Sequence, residues 1–194
     1  MTVETSATRS ALLVMDIQNG IVERVGNDPA LLERLASVAA SARNAGIPVI
    51  YVVVKFREGY PEISSNNRTF SPLKAGAMPF TDTDPSTEVH PAVAPQPGDV
   101  VVTKRRVGAF SGSDLEIVLR AYDVNSLILT GIATSGVVLS TVRAASDMDF
   151  RLTVLSDCCV DSDEAVQDVL MNKVFPRQAE VITAEEWQAT LTKP

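Results

Sequence analysis

Six short apolar runs, most of them rich in Val, Ile or Leu, alternate along this 194-residue chain with segments of helical spacing. The runs cover residues 11–15, 49–54, 100–103, 126–130, 152–156 and 180–182. Several lack the apolar–polar alternation of a strand with one wet face, so they read as strands covered on both sides. Strands that alternate with helices imply a parallel sheet joined by right-handed crossovers. The expected fold is therefore α/β: a doubly wound sheet of six mainly parallel strands in order 3-2-1-4-5-6, with helices on both faces. By length, residues 1–194 make one domain. A chain of this size buries roughly 70% of its unfolded surface, so its core needs no staples.

The helices between the strands carry their own punctuation. Residues 29–44 follow Asp28 as an N-cap and stop before Gly46. Residues 113–122 open on Ser113 with Glu116 three positions later, a capping-box pattern. Helical patterns also cover 138–147, 162–173 and 185–191. The stretch 55–98 is irregular and holds seven prolines. Loops of that length in a compact domain are usually binding loops or lids.

Charge narrows the partners. The net charge is −7, with 24 acidic residues against 17 basic ones. Such a balance disfavours nucleic acid, whose phosphates need Lys and Arg, and equally disfavours an anionic membrane surface. No run reaches the ~20 apolar residues of a membrane helix. The first ten residues are polar and lack the apolar core of a secretory signal. The only cysteines, Cys158 and Cys159, are neighbours, which rarely bridge. A cytoplasmic protein without disulfides is the expectation.

In an open parallel sheet, ligands bind where strand ends feed helix N-termini, and the N–H groups there favour negative charge. The segment 127–145, LILTGIATSGVVLSTVRAA, is such a strand–turn–helix. Its turn delivers Val137, which is neither nucleophile, acid, base nor metal ligand. Ser135 reads as the N-cap of the following helix, and Ser140 lies inside that helix. Asp16 ends the apolar run ALLVM, either as a cap on the loop after it or as a buried pocket carboxylate. Burial would raise its pKa and a nearby cation would lower it. Lys104 ends the third strand, either as a solvated lysine in a basic stretch with Arg105 and Arg106 or as the partner that orients Asp16.

Other candidates are weaker signals. Gln18, Arg57, Tyr60, Arg68, Arg106 and Phe110 could line a pocket, since Arg beside an aromatic wall suits a carboxylate-bearing ligand. Each reads equally well as a surface or packing residue. Cys158 and Cys159 read as small buried hydrophobes, and the single histidine, His90, as a loop residue. One histidine cannot build a His-rich metal site, and no Cys/His spacing suggests zinc. Neither metal nor cofactor is expected.

Three segments in order carry a family resemblance: LLVMDIQNG with Asp16, GDVVVTKRRVGAF with Lys104, and GIATSGVVLST over 131–141. Together they resemble the isochorismatase-like hydrolases, the superfamily that includes cysteine hydrolases such as nicotinamidases, over roughly residues 10–187. The last segment is similar to the motif G-[IV]-A-T-x-x-C-V-x-x-T, with Val137 at the cysteine position. The resemblance implies an Asp–Lys pair at Asp16 and Lys104, and an oxyanion hole from the N–H groups of Ala133 and Val137. It further implies a cis peptide bond between Ile132 and Ala133. It places the 55–98 stretch beside the pocket mouth and at subunit contacts. It also implies a small-molecule substrate and a homo-oligomer, dimer or tetramer.

Three functions compete. One is a hydrolase without covalent catalysis, in which Asp16 protonates a vinyl ether, as the resemblance to isochorismatases that lack the cysteine implies. Another is a catalytically inactive member that binds a small molecule or another subunit. The third is an amidase with a different nucleophile.

Overall fold

The structure, a computed structural model, describes residues 8–76 and 80–191. Most of the polar N-terminal stretch read for a signal therefore lies outside the described residues, as does a short piece of the 55–98 stretch. Six strands form one sheet: β1 (Ser10–Met15), β2 (Val49–Val54), β3 (Val100–Lys104), β4 (Ser126–Ile132), β5 (Arg151–Val160) and β6 (Glu180–Ile182). Their order is β3-β2-β1-β4-β5-β6 and every neighbouring pair is parallel. This is the doubly wound arrangement expected from the alternation of runs. Chain direction reverses its march across the sheet between β1 and β4. Met15 there aligns with Gly131 on one side and Val52 on the other, while Val54 aligns with Lys104. The carboxyl ends of β1, β2, β3 and β4 thus share one edge.

The helices are α1 (Asn19–Arg24), α2 (Pro29–Asn44), α3 (Ser71–Lys74), α4 (Leu115–Ala121), α5 (Leu139–Asp147), α6 (Glu164–Val169) and α7 (Ala184–Leu191). They cover both faces of the sheet because alternate strand residues point opposite ways. Ala11, Leu13 and Met15 of β1 join a core with Leu115 and Leu119 of α4 and Val142 and Ala145 of α5. Leu12 and Val14 join a second core with Leu31, Leu35 and Val38 of α2 and Trp187 of α7. A third cluster, Val54, Phe56, Ile63 and Phe80, gives the irregular stretch a small core of its own, with Phe70 and Leu73 packed on it.

Several boundaries differ from the sequence expectation, each for a local reason. α2 matches, with the Asp28 carboxylate accepting from the Ala30 N–H at 2.9 Å and Pro29 in the first turn. α4 begins later than position 113. The Ser113 hydroxyl donates to Ala109 O at 2.6 Å, and Glu116 pairs with Arg120 instead of closing a capping box. The helix after β4 is preceded by a wide turn, Thr134–Val138, with π-type spacing. α6 is capped by Asp163, which accepts from the N–H groups of Ala165 and Val166, and Leu170–Val174 form a second π-type turn. β5 continues past 156 because its ladder to β4 resumes after a bulge, with Gly131 opposite Cys159 and Ile132 opposite Val160.

Candidate active site

Asp16 leaves β1 with φ 58°, a left-handed conformation that Asp tolerates better than most residues. Its N–H donates to Val52 O at 2.8 Å, so the carboxylate is fixed at the end of the sheet. The side chain is buried. Lys104, at the end of β3, is buried as well and reaches across the end of β2. Its Nζ stands 2.9 Å from Asp16 Oδ2 and donates to Arg106 O and Val107 O, both at 3.0 Å. These three acceptors use all three ammonium protons. Asp16 Oδ1 is buried with no hydrogen-bond partner. Burial pushes the Asp16 carboxyl from 3.8 up to about 6, with Lys104 pulling in the other direction. A carboxyl poised there can give or take a proton near neutrality.

The third wall comes from the end of β4. The Ile132–Ala133 peptide bond is cis. The wide turn after it is anchored from outside by Asp161, whose carboxylate accepts from the Ser135 N–H at 2.7 Å. Neither the turn nor α5 has a side-chain cap, so the expected N-cap role of Ser135 is not realised. Gly131 is required by close approach. A Cβ there would sit 2.7 Å from Met15 O and 3.0 Å from Met15 Cβ. Gly131→Ala should therefore cost about 1–3 kcal/mol by overpacking. A urea titration showing an unchanged midpoint would refute this.

Asp16, Lys104, Ile132, Ala133 and Val137 all line one cavity of about 590 Å³. Val137 is a buried part of its wall. The remaining sequence candidates lie elsewhere. Gln18 spends its amide on backbone: Nε2 donates to Val54 O (2.9 Å) and Thr87 O (2.6 Å), and Oε1 accepts from the Val54 N–H (2.8 Å). It ties the long loop to β2 and does not line the cavity. Arg57 is exposed and pairs with Glu62. The Tyr60 hydroxyl accepts from the Phe80 N–H at 3.0 Å while its ring rests near Phe56. Arg106 donates to Glu62 O at 2.9 Å. Phe110 packs with Phe150 on the α4–α5 side of the sheet. Arg68 is exposed and outside the lining.

Sequence reasoning missed the residues that close the cavity: Ile21, Arg24 and Val25 around α1, and Phe70 and Leu73 in the long loop. Their signal is the spacing i, i+3, i+4 at 21, 24 and 25, which puts all three on one helix face. Cys158 and Cys159 are free thiols buried on opposite faces of β5, one in each main core. Burial pushes the Cys158 thiol up to about 12 and Cys159 upward as well. His90 Nδ1 accepts from the Ala92 N–H at 3.3 Å, within its own turn. Among the described residues, no three His, Cys, Asp or Glu side chains gather as a metal would require.

A buried acid–lysine pair thus stands at the reversal point of a doubly wound sheet. The family model of the isochorismatase domain matches residues 10–186, so the chain belongs to the isochorismatase family. It is 32% identical over 187 residues to the uncharacterized isochorismatase family protein YecD of Escherichia coli O157:H7, covering 94% of this chain and 96% of the relative. It is 31% identical over 175 residues to the ureidoacrylate amidohydrolase RutB of Variovorax paradoxus (strain S110), covering 78% of this chain and 68% of that protein. Its structure is similar to that of a cysteine hydrolase from Pseudomonas syringae pv. phaseolicola 1448A. There the TM-score is 0.86 at 26% identity, with 94% and 92% of the two chains covered.

Proposed function

We propose that this chain is a hydrolase of a small molecule that works without a covalent cysteine intermediate, with Asp16 as the acid–base group and Lys104 as its orienter. The carrying observation is the asymmetry of the Asp16 carboxylate: Oδ2 is held on Lys104, whereas Oδ1 is buried, unpartnered and belongs to a side chain that lines the cavity. Val137 stands in the wall beside it and supplies no nucleophile. The two thiols of the chain are packed into the cores on either side of β5. The peptide bonds around Ala133 and Val137 would then hold a carbonyl or carboxylate oxygen. The protein is further proposed to be a cytoplasmic homo-oligomer.

Turnover against a panel of amides and vinyl ethers tests this. Vinyl-ether cleavage supports Asp16 as a proton donor, rapid amide hydrolysis refutes the proposal, and binding without turnover favours an inactive ligand-binding member. A chemical test runs beside it. Wild-type protein should resist iodoacetamide, because both thiols are buried and hold their protons. Val137→Cys should be alkylated at residue 137, since the new thiol lines a cavity at the head of a helix. Peptide mass mapping that finds label on Cys158 or Cys159 in the folded wild type would contradict this account of them.

A further inference from the structure

The ion pair leaves little polar capacity open at the floor of the cavity. Lys104 gives its three protons to Asp16 Oδ2, Arg106 O and Val107 O, while Asp16 Oδ1 is buried without a hydrogen bond. The wall on the side of α1 and the long loop is of a different kind. Ile21 and Val25 line it from α1 and its C-cap, spaced i, i+4. Phe70 and Leu73 line it from α3 and the residue before it, and Val54 and Phe80 stand between the two. Ile21, Phe70 and Leu73 pack on the small core of Val54, Phe56, Ile63 and Phe80, yet each stays only half-buried. The core takes one side of these three side chains, and they border the cavity with apolar surface that the fold does not cover. An apolar group that covers such surface is stabilised by leaving water. A concave apolar wall beside a few placed polar groups is the usual build of a small-molecule site. Arg24 borders the cavity as well and already has a partner. At about 590 Å³ the cavity has room for a body well beyond the reacting group.

We infer that this cavity takes a substrate with an apolar alkyl or aryl body, and that Ile21 and Leu73 are the specificity-determining residues that hold it. The body lies against the wall shared by α1 and the Phe70–Leu73 segment, and the reacting polar group faces the floor, toward Asp16 Oδ1. A compact molecule that is polar throughout leaves that wall wet and is bound weakly. The assignment rests on the reading of this cavity as the substrate site, but not on the chemistry performed there.

The test is a binding measurement on the full chain, independent of turnover. The probes are neutral methyl ketones that no hydrolase cleaves: 2-butanone, 2-hexanone and 2-octanone. Titrations of the ¹⁵N-labelled protein followed by NMR read both the affinity and the place of binding. In the wild type each pair of added methylenes should tighten binding by about tenfold, the transfer value of two buried CH₂ groups. The amide shifts should centre on residues 21–25 and 70–73. Leu73→Asn should cut the preference for 2-octanone over 2-butanone by about fivefold or more, because it places an amide on the apolar wall. Leu73→Met, which conserves volume and apolarity, should keep the preference. Ile21→Asn makes the same test from α1, so the outcome does not hang on one variant folding. A flat series in the wild type, no binding of 2-octanone up to its solubility limit, shifts centred elsewhere, or a preference that survives both asparagine variants overturns the assignment. Failure of the hydrolase reading looks different: the steep series persists while no amide or vinyl ether is turned over.

Discussion

Asp16→Asn is expected to lower turnover of a vinyl ether by about 10²–10⁴-fold, the usual contribution of a positioned general acid. The substitution keeps the shape of the side chain. The amide oxygen can still accept from Lys104 Nζ, which stands 2.9 Å from Asp16 Oδ2 in the wild type, so the cavity wall is retained. What is lost is the exchangeable proton, which an amide cannot deliver. Substrate affinity should therefore change much less than kcat. The pH dependence separates the two roles open to a carboxyl that burial has pushed up to about 6. If Asp16 donates a proton, kcat/KM falls as pH rises through that value, because the ionised form cannot act. If it removes one, kcat/KM rises through the same range. Steady-state kinetics between about pH 5 and pH 8 distinguish the cases. An Asp16→Asn protein with unchanged kcat would remove Asp16 from the mechanism.

The sheet was legible because several of the strand runs are apolar on both faces and all alternate with helical segments, and the 3-2-1-4-5-6 order is the doubly wound arrangement of parallel strands with right-handed crossovers. Asp16 was legible because a carboxylate directly after ALLVM must be either buried and paired or turned out to solvent. Its actual partner, Lys104, lies two strands away. Charge alone could not say which of Lys104, Arg105 and Arg106 faces inward. Alternation along β3 decides it, and Arg105 instead pairs with Asp82 in the long loop. The wide turn at Thr134–Val138 was not legible, since the residues of a π-type turn are ordinary helix formers and its anchor, Asp161, lies past the end of the next strand. Gln18, Tyr60 and Phe110 are the converse case. Their residue types suit ligand binding, but backbone groups and neighbouring rings take up their contacts. The cavity's far wall was missed because it is assembled from a six-residue helix and an irregular loop, whose packing depends on where the long stretch lands.

Lys104→Met should destabilise the fold by about 3–5 kcal/mol near pH 8, the cost of removing one partner from a buried ion pair. Methionine fits the space of the lysine stem, so packing is largely kept. The ammonium is not replaced: Arg106 O and Val107 O lose a donor and Asp16 loses its cation. The sign of the pH dependence follows from the Asp16 carboxyl. Its native value, about 6, is above the ordinary 3.8, so the folded state holds this proton more tightly than the unfolded chain. The resulting stabilisation is complete below 3.8 and is lost as pH rises through about 6. Without Lys104 the native value climbs further, because burial then acts unopposed, and the loss extends to higher pH. The deficit of the variant relative to wild type should therefore widen above pH 6 and narrow below it. Lys104→Met combined with Asp16→Asn removes the unpaired charge altogether, so it should recover part of the stability and abolish this pH dependence. Urea denaturation of the three variants and wild type near pH 5.5 and pH 8 reads all of this directly. A deficit of equal size at both pH values, or one below about 1 kcal/mol, would mean that the buried pair is not what holds these strand ends together.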